Sequence, residues 1–314
     1  MSLAFIYYFI FRIRKLLSKS VQNKNIFSIR IGNVTAGGTG KTEIAKLIGS
    51  YLQENGVKFC FLSSGYGRYS SGLIKIEKGS KVDPFFAGDE VAILSIYGDV
   101  FVSDDRKNAL MNMSGYDIVI MDDGLQDYSI EANLNILLID SDHGLGNGMI
   151  LPSGPMRCAI KDLPRIDAVI QTSSNDKKLT QDVEKIKDEL GIDNIFTTQV
   201  ISKSRPTKDK YIAFSGLGLN KKFLTSLRDN GYNIINFIEF PDHYPYKESD
   251  IKNIIEISQD FGVITTKKDY LKIKNFDISS RIEVFYIEHK VDNEFFSMID
   301  GKFLLYKNEN RDKV

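Results

Sequence analysis

Eight residues, Thr35-Ala36-Gly37-Gly38-Thr39-Gly40-Lys41-Thr42, restrict this chain more than any other segment. Before them, Phe27, Ile29 and Ile31 alternate with Ser28 and Arg30, which predicts a strand ending at Gly32. After them, Ile44, Leu47, Ile48, Tyr51 and Leu52 fall on one helical face, and Gly56 follows Asn55 as a natural stop. A glycine-rich turn between strand and helix, closing on Gly-Lys-Thr, has the phosphate-loop pattern, with Thr35 where a first glycine is expected. Phosphates need many donors at close range. Gly37, Gly38 and Gly40 let backbone N–H groups turn inward at a helix N-terminus whose dipole also favours an anion. Residues Thr35 to Thr42 are therefore expected to bind nucleotide, with Lys41 on the β- and γ-phosphates and Thr42 on a magnesium ion.

The same alternation continues along the chain. Strands are predicted at 57–62, 100–102, 116–121, 134–139, 168–171 and 195–201, and helices at 90–97, 106–113 and 177–190. Several of these strands are uninterrupted apolar runs, the mark of a strand buried on both faces. This order predicts an α/β fold: a mainly parallel sheet covered by helices. Ser202 to Lys210 is polar and basic and contains Pro206, which suggests a boundary. Beyond it the pattern restarts, with strands at 211–214, 233–237 and 263–265 and helices ending at Arg228 and spanning 249–259. Three units are expected: a membrane-interface helix over 1–20, a P-loop domain over 21–201, and a smaller α/β domain over 202–314 closing on a cleft.

Lys plus Arg and Asp plus Glu both total 41, so no global field attracts nucleic acid, and no protein partner is evident. Cys60 and Cys158 lie far apart with no zinc or disulfide spacing, which fits a reducing compartment. His143, His243 and His289 are too scattered for a metal centre, so the metal expected here is oxygen-ligated magnesium. Leu3 to Phe11 is continuously apolar and aromatic, followed by Arg12, Arg14, Lys15 and Lys19. The run is roughly half the ~20 residues a spanning helix needs, and its charges follow the apolar stretch, the reverse of a secretory signal. It reads as a helix lying in a membrane interface, with a helix packed on the protein's own core as the alternative.

A phosphate loop needs a metal-binding acid at the end of a neighbouring strand, and Ile118-Val119-Ile120-Met121-Asp122-Asp123 has that form, unless the two aspartates only cap a turn. Asp89, in Gly88-Asp89-Glu90, stands at a predicted helix start. It is an N-cap or the carboxylate that accepts a sugar hydroxyl's proton during transfer. His243 lies in a proline-bracketed loop, Pro241-Asp242-His243-Tyr244-Pro245, as a relay for Asp89 or as a surface turn histidine. Arg68, in Gly65-Tyr66-Gly67-Arg68, and Arg106, after Asp105, follow strands and suit phosphates. Thr266-Lys267-Lys268-Asp269 is similar to a guanine-reading loop, but it lies across the boundary and is read as a loop after a strand.

The motif around the phosphate loop from Gly32, together with Gly65-Tyr66-Gly67-Arg68, Gly88-Asp89-Glu90, Asp105-Arg106, Asp122-Asp123-Gly124-Leu125-Gln126, Gly146-Asn147-Gly148 and Leu151-Pro152-Ser153-Gly154-Pro155-Met156-Arg157, resembles the tetraacyldisaccharide 4'-kinase family in order and spacing. The resemblance extends through Phe240-Pro241-Asp242-His243 to Asp269. It implies transfer of the ATP γ-phosphate to the 4'-hydroxyl of an acylated disaccharide 1-phosphate, with magnesium. It also implies a peripheral protein on the cytoplasmic face of the bacterial inner membrane. By motif, Asp89 would be the base with His243 as partner, Lys41 and Thr42 phosphate and metal contacts, Asp122 and Asp123 metal acids, and Tyr66, Gly67, Arg68, Arg106 and Gln126 substrate contacts. Ser64, Asp127, Glu43 and Cys158 depart from the family's usual arginine, histidine, proline and glutamate.

A membrane-associated P-loop ATPase that uses hydrolysis as a switch is the competing class. Both readings explain Lys41 and Thr42. A hydroxyl-facing base and a closing second domain, supplied by Asp89 and His243, favour the kinase.

Overall fold

A buried parallel strand must be covered on both faces, and the order of elements shows how this chain does it. The computed structural model describes residues 3–173 and 178–311. The chain begins with α1 (Leu3–Leu17), β1 (Phe27–Asn33), α2 (Lys41–Glu54), β2 (Phe59–Ser63), β3 (Ile74–Ile76), α3 (Pro84–Ala87) and α4 (Asp89–Leu94). It continues through β4 (Asp99–Val102), α5 (Arg106–Met111), β5 (Ile118–Met121), β6 (Leu134–Asp140), β7 (Ala168–Ser173), α6 (Gln181–Leu190) and β8 (Ile195–Ser202). The predicted start of α6 at Lys177 lies outside the described residues. Then come β9 (Tyr211–Ser215), α7 (Asn220–Asp229), β10 (Ile234–Glu239), α8 (Glu248–Ser258), β11 (Gly262–Thr266), α9 (Lys267–Ile273), β12 (Ile282–Phe285), β13 (Ile287–Val291) and α10 (Asn293–Arg311).

Nine strands form one sheet in the order β13-β8-β7-β6-β1-β5-β2-β4-β3, parallel except at its two edges, where β13 and β3 run antiparallel to their neighbours. The fold is P-loop-like α/β, with a second, smaller sheet of four parallel strands, β10-β9-β11-β12. Alternation along β1 and β5 sorts the cover. Ile29, Ile31, Ile118 and Ile120 pack under α2, α4 and α10, while Val119 and Met121 face Ala109 and Leu110 of α5 on the other side. Leu137 and Val169 meet Val183 and Ile186 of α6.

The expectation that 202–314 forms one domain differs from the structure. After β12 the chain returns: β13 pairs with β8 on the edge of the large sheet, and α10 buries Phe295, Ile299 and Phe303 in the large core. The smaller lobe is thus an insertion, bounded by Lys203, whose N–H donates to the Tyr286 carbonyl, and by Tyr286, whose N–H donates to Ser204 Oγ. The physical reason is the edge of β8, whose open backbone groups β13 satisfies. Thr266-Lys267-Lys268-Asp269 is likewise a helix start and not a loop. Thr266 Oγ1 accepts the Asp269 N–H at 3.1 Å and donates to its carboxylate at 2.7 Å, a reciprocal cap that opens α9.

Because α10 fills the core over β1, where Phe303 lies against Phe27 with ring centroids 5.5 Å apart, Phe295→Ala is expected to destabilise the large lobe by about 3–5 kcal/mol. Urea unfolding followed by a probe in the large lobe checks this, and a loss below about 1 kcal/mol would place α10 outside that core.

Candidate active site

The phosphate loop leaves β1 at Asn33 and enters α2 through Gly40, whose φ of 82° is left-handed backbone that glycine adopts without strain. Asn33 braces the loop, accepting from Lys41 Nζ at 3.1 Å while its amide donates to the Thr35 carbonyl at 2.7 Å. The segment around Pro155 clamps the other side. The Ala36 N–H donates to the Pro155 carbonyl and the Arg157 N–H to the Val34 carbonyl. Gly37 to Thr42 line a cavity of about 1070 Å³, whereas Thr35 and Ala36 stand behind it.

Parallel pairing of β1 with β5 brings the ends of these strands side by side, so Thr42 Oγ1 donates to Asp122 Oδ2 at 3.0 Å. The other Asp122 oxygen, Oδ1, is buried and has no hydrogen-bond partner among the described residues. Burial, reinforced by Glu90 and Asp123, pushes the Asp122 carboxyl up to about 7 against the opposing pull of Lys41 and the Thr42 hydroxyl. Asp123 sits at φ 52°, left-handed backbone that aspartate tolerates better than most residues. It lies 3.7 Å from Lys41 Nζ and accepts from Arg157 Nη1 at 2.9 Å on each oxygen. Burial raises its carboxyl, but Lys41 and Arg157 outweigh that and hold it below the ordinary range. Neither aspartate caps a turn. A carboxylate oxygen left bare beside a threonine hydroxyl fits a hard, oxygen-seeking cation such as magnesium, which takes few protein ligands and completes its shell with phosphate and water.

Asp89 does not cap its helix. Gly88 occupies the cap position, and the backbone of Gly65 passes so close that a Cβ there would lie 2.7 Å from the Ala87 carbonyl. That contact sets α4 against the loop after β2 and turns Asp89 toward the smaller lobe. Its Oδ2 lies 2.9 Å from Nδ1 of His243, 3.0 Å from Nζ of Lys272 and 3.8 Å from Nζ of Lys268. Burial raises the Asp89 carboxyl, but the His243 hydrogen bond and the two lysine charges prevail and hold it below its ordinary value. His243 has φ 59°, a left-handed conformation at the tip of its proline-bracketed loop, and its ring meets Tyr66 edge-on at 5.4 Å. His243, Lys268 and Tyr66 line the cavity, while Asp89 lies just behind them.

Among the expected substrate contacts, Tyr66, Arg106 and Gln126 reach the cavity wall. Arg106 Nη1 donates to the Asp122 and Asp123 carbonyls at 3.3 and 3.0 Å, and its Nε lies 3.5 Å from Asp127. Gln126 donates to the Asn33 carbonyl at 2.7 Å. Arg68 turns elsewhere. Its side chain is 3% exposed and donates to Asp104 at 2.7 Å and to the Gly72 carbonyl at 3.0 Å, so it and Gly67 stand off the wall. Residues that sequence reasoning passed over are Asn33, Arg157, Lys268 and Lys272. Asn33, Arg157 and Lys268 lie inside segments singled out in the sequence, and Lys272 follows Lys268 at helical spacing.

One flank of the cavity is α1, through Tyr7, Phe11 and Arg14. The helix docks by its polar side, Arg12 and Tyr8 reaching Asp162 at 2.7 and 2.6 Å and Lys15 its carbonyl at 2.7 Å. Its other side leaves Phe5, Phe9, Ile10, Leu16 and Leu17 exposed, the two leucines at 77%. Among the described residues no helix is long and apolar enough to cross a membrane.

A glycine loop at a strand end, a threonine and a strand-end aspartate beneath it, and a smaller lobe placing an imidazole across the cavity together define a P-loop phosphotransferase. Comparison with known proteins narrows that class. The family model for tetraacyldisaccharide-1-P 4'-kinase matches residues 1–303. The chain is 32% identical over 306 residues to the tetraacyldisaccharide 4'-kinase of Pelagibacter ubique, covering 95% of this chain and 90% of that one. It is 32% identical over 271 residues to the Rickettsia felis enzyme of the same name, covering 84% and 81%. The crystal structure of LpxK from Aquifex aeolicus in complex with ATP superposes with a TM-score of 0.73 at 25% identity, over 96% of this chain and 97% of that one. The chain belongs to the tetraacyldisaccharide 4'-kinase family. It is a kinase that phosphorylates the lipid A precursor with ATP as donor, and the switch-ATPase reading falls away.

The raised Asp122 carboxyl gives a pH test. Folded Asp122 holds its proton to about 7 while the unfolded residue loses it near 3.8, so this group makes the metal-free protein less stable as pH rises through that window. Asp122→Asn is therefore expected to gain melting temperature over wild type in chelator at about pH 8 and little at about pH 4. A gap that shrinks with rising pH would contradict the assignment.

Proposed function

We propose that this kinase transfers the ATP γ-phosphate to the 4'-hydroxyl of tetraacyldisaccharide 1-phosphate at the cytoplasmic face of the bacterial inner membrane. The observation that carries the reading is the 2.9 Å contact between Asp89 of the larger lobe and His243 of the smaller one, whose imidazole lines the same cavity as the phosphate loop. A sugar hydroxyl is a weak nucleophile, and a paired carboxylate and imidazole can take its proton as the bond to phosphorus forms. Asp89, behind the wall, holds His243 toward the cavity and favours its taking up a proton, and the two act on the acceptor as a unit with the imidazole facing it.

The loop N–H groups and Lys41 cradle the nucleotide phosphates, with the Lys41 ammonium held between Asn33 Oδ1 at 3.1 Å and Asp123 at 3.7 Å. Thr42 and Asp122 would hold a magnesium ion, with Asp123 beside them; the ion when bound neutralises charge on the β- and γ-oxygens. Arg106 and Arg157 fix the aspartate pair and add positive charge to the wall, and Gln126 and Tyr66 face the acceptor's sugar. The exposed apolar side of α1 enters the membrane interface, and its docked side adjoins the cavity, so the lipid acceptor passes from bilayer to site along one helix.

Transfer of labelled γ-phosphate to the acceptor in detergent is expected to fall by at least about a hundredfold in Lys41→Ala and in Asp89→Asn, with the thermal melt retained. Near-normal transfer in either variant would remove that residue from the chemistry. Replacing Phe9, Leu16 and Leu17 by serine is expected to release the protein from anionic vesicles while leaving activity on detergent-dispersed acceptor intact. Undiminished vesicle binding would remove α1 as the anchor.

A further inference from the structure

Ionic contacts join the two lobes at two places. One is the cluster around Asp89; the other is Lys222 of α7, whose Nζ donates to Oδ2 of Asp140 at the end of β6. In the sheet β6 and β5 flank β1, so Lys222 reaches the β6 side of the phosphate loop, whereas Asp89 belongs to α4, beside the loop after β2. The Asp140 side chain is 2% exposed, and a carboxylate taken out of water is costly unless it is paired. Its own lobe serves Oδ1, which accepts the N–H groups of Asp142 at 3.1 Å and His143 at 3.2 Å and lies 3.2 Å from the His143 ring. Oδ2 is met from the other lobe. Burial raises the Asp140 carboxyl, but Lys222, helped by His143 and the Asp142 N–H, prevails and holds it below its ordinary value.

We propose that Lys222 is a positioning residue for the nucleotide, its pairing with Asp140 seating the start of α7 over the phosphate loop. This rests on the loop holding ATP. Leu219, Lys222, Phe223 and Ser226 recur at helical spacing, and all four line the cavity. Leu219, at the cap position of α7, lies on the loop itself, since a Cβ at Gly37 would stand 3.8 Å from Leu219 Cδ1. Of the four, Lys222 alone is charged, and that charge is directed to the end of β6.

The turn before α7 is fixed to the helix. Asn220 Oδ1 accepts from the Ser215 hydroxyl at 2.6 Å and the Leu217 N–H at 2.9 Å, and its amide donates to the Phe240 carbonyl at 2.9 Å. Holding Lys222 therefore holds Leu217, Gly218 and Leu219 against the nucleotide end of the cavity. Asp142, 3.4 Å from Lys222 Nζ and 46% exposed, adds little, because water screens it. The two ionic contacts thus divide their roles: the Asp89 cluster sets the imidazole that faces the acceptor, and Asp140 sets the turn that covers the phosphate loop. Such a grip acts alike on bound ATP before and during transfer, so its loss falls on KM and not on kcat.

The test is steady-state transfer by the full-length protein in detergent, varying ATP and the tetraacyldisaccharide acceptor in turn, beside calorimetric binding of ATP with magnesium and no acceptor. Lys222→Met, which keeps length and loses charge, is expected to raise KM and Kd for ATP by at least about fivefold, with kcat and KM for the acceptor within about twofold of wild type. Lys222→Arg, which retains the charge, is expected to bind ATP within about twofold of wild type. Asp140→Asn, whose amide oxygen still accepts the two N–H groups, is expected to match Lys222→Met, and the double variant to bind ATP no more weakly than either single one. Wild-type ATP affinity in Lys222→Met overturns the proposal, as does a loss there that falls equally on kcat and the acceptor. Undiminished ATP affinity in Asp140→Asn overturns it too, since Lys222 would then act on the nucleotide directly, and this arm decides the matter if Lys222→Met does not fold. Lys41→Ala separates the two ideas. Wild-type ATP binding there defeats the phosphate-loop assignment itself, while weak binding there beside an unaltered Lys222→Met defeats only the role of Lys222.

Discussion

Parallel pairing of β1 with β5 is the constraint from which the site follows. Register places Arg30 beside Met121, so the two strands leave the sheet together, one into the phosphate loop and the other into Asp122 and Asp123. Thr42 then meets Asp122 without any long side chain having to reach, which leaves the other carboxylate oxygen without a partner among the described residues. A parallel sheet also demands cover on both faces, which α2, α4 and α10 supply on one and α5 and α6 on the other. A sheet buried on both faces and a charged strand-end site are thus two results of one topology.

The smaller lobe adds what the larger lacks. It is inserted between β8 and β13, so it is tethered by two adjacent strands, and its contacts with Asp89 come from one loop and one short helix. His243 and Lys272 converge on the same Asp89 oxygen from these two elements. Each would be costly to bury or strain alone, His243 by its left-handed backbone and Lys272 by its enclosed charge, and Asp89 offsets both.

Much of this was legible in the chain. The glycine loop, the apolar strand before it and the amphipathic helix after it specify one another locally, so position and geometry could be read together. The apolar runs ending in aspartate announced strand-end acids. What escaped was long-range. Ile287, His289 and Val291 alternate as a strand should, but nothing local says that they pair with β8 and return the chain to the first core. The cap at Thr266 is a short signal overshadowed by its likeness to a nucleotide-reading loop. Arg68 shares its motif with Tyr66, yet one side chain turns to Asp104 and the other to the cavity, a choice set by tertiary contacts. Lys272 carries no motif, and its meaning appears only when Asp89 arrives from the other lobe.

The central claim is that the cavity joins a nucleotide phosphate to a sugar hydroxyl on a lipid. Phosphorus NMR of the product formed from tetraacyldisaccharide 1-phosphate, ATP and magnesium tests it most directly. A second phosphomonoester at the 4' position, formed in step with ADP, is the predicted result. ADP and free phosphate released at the same rate with and without acceptor, and no new lipid phosphate, would contradict it.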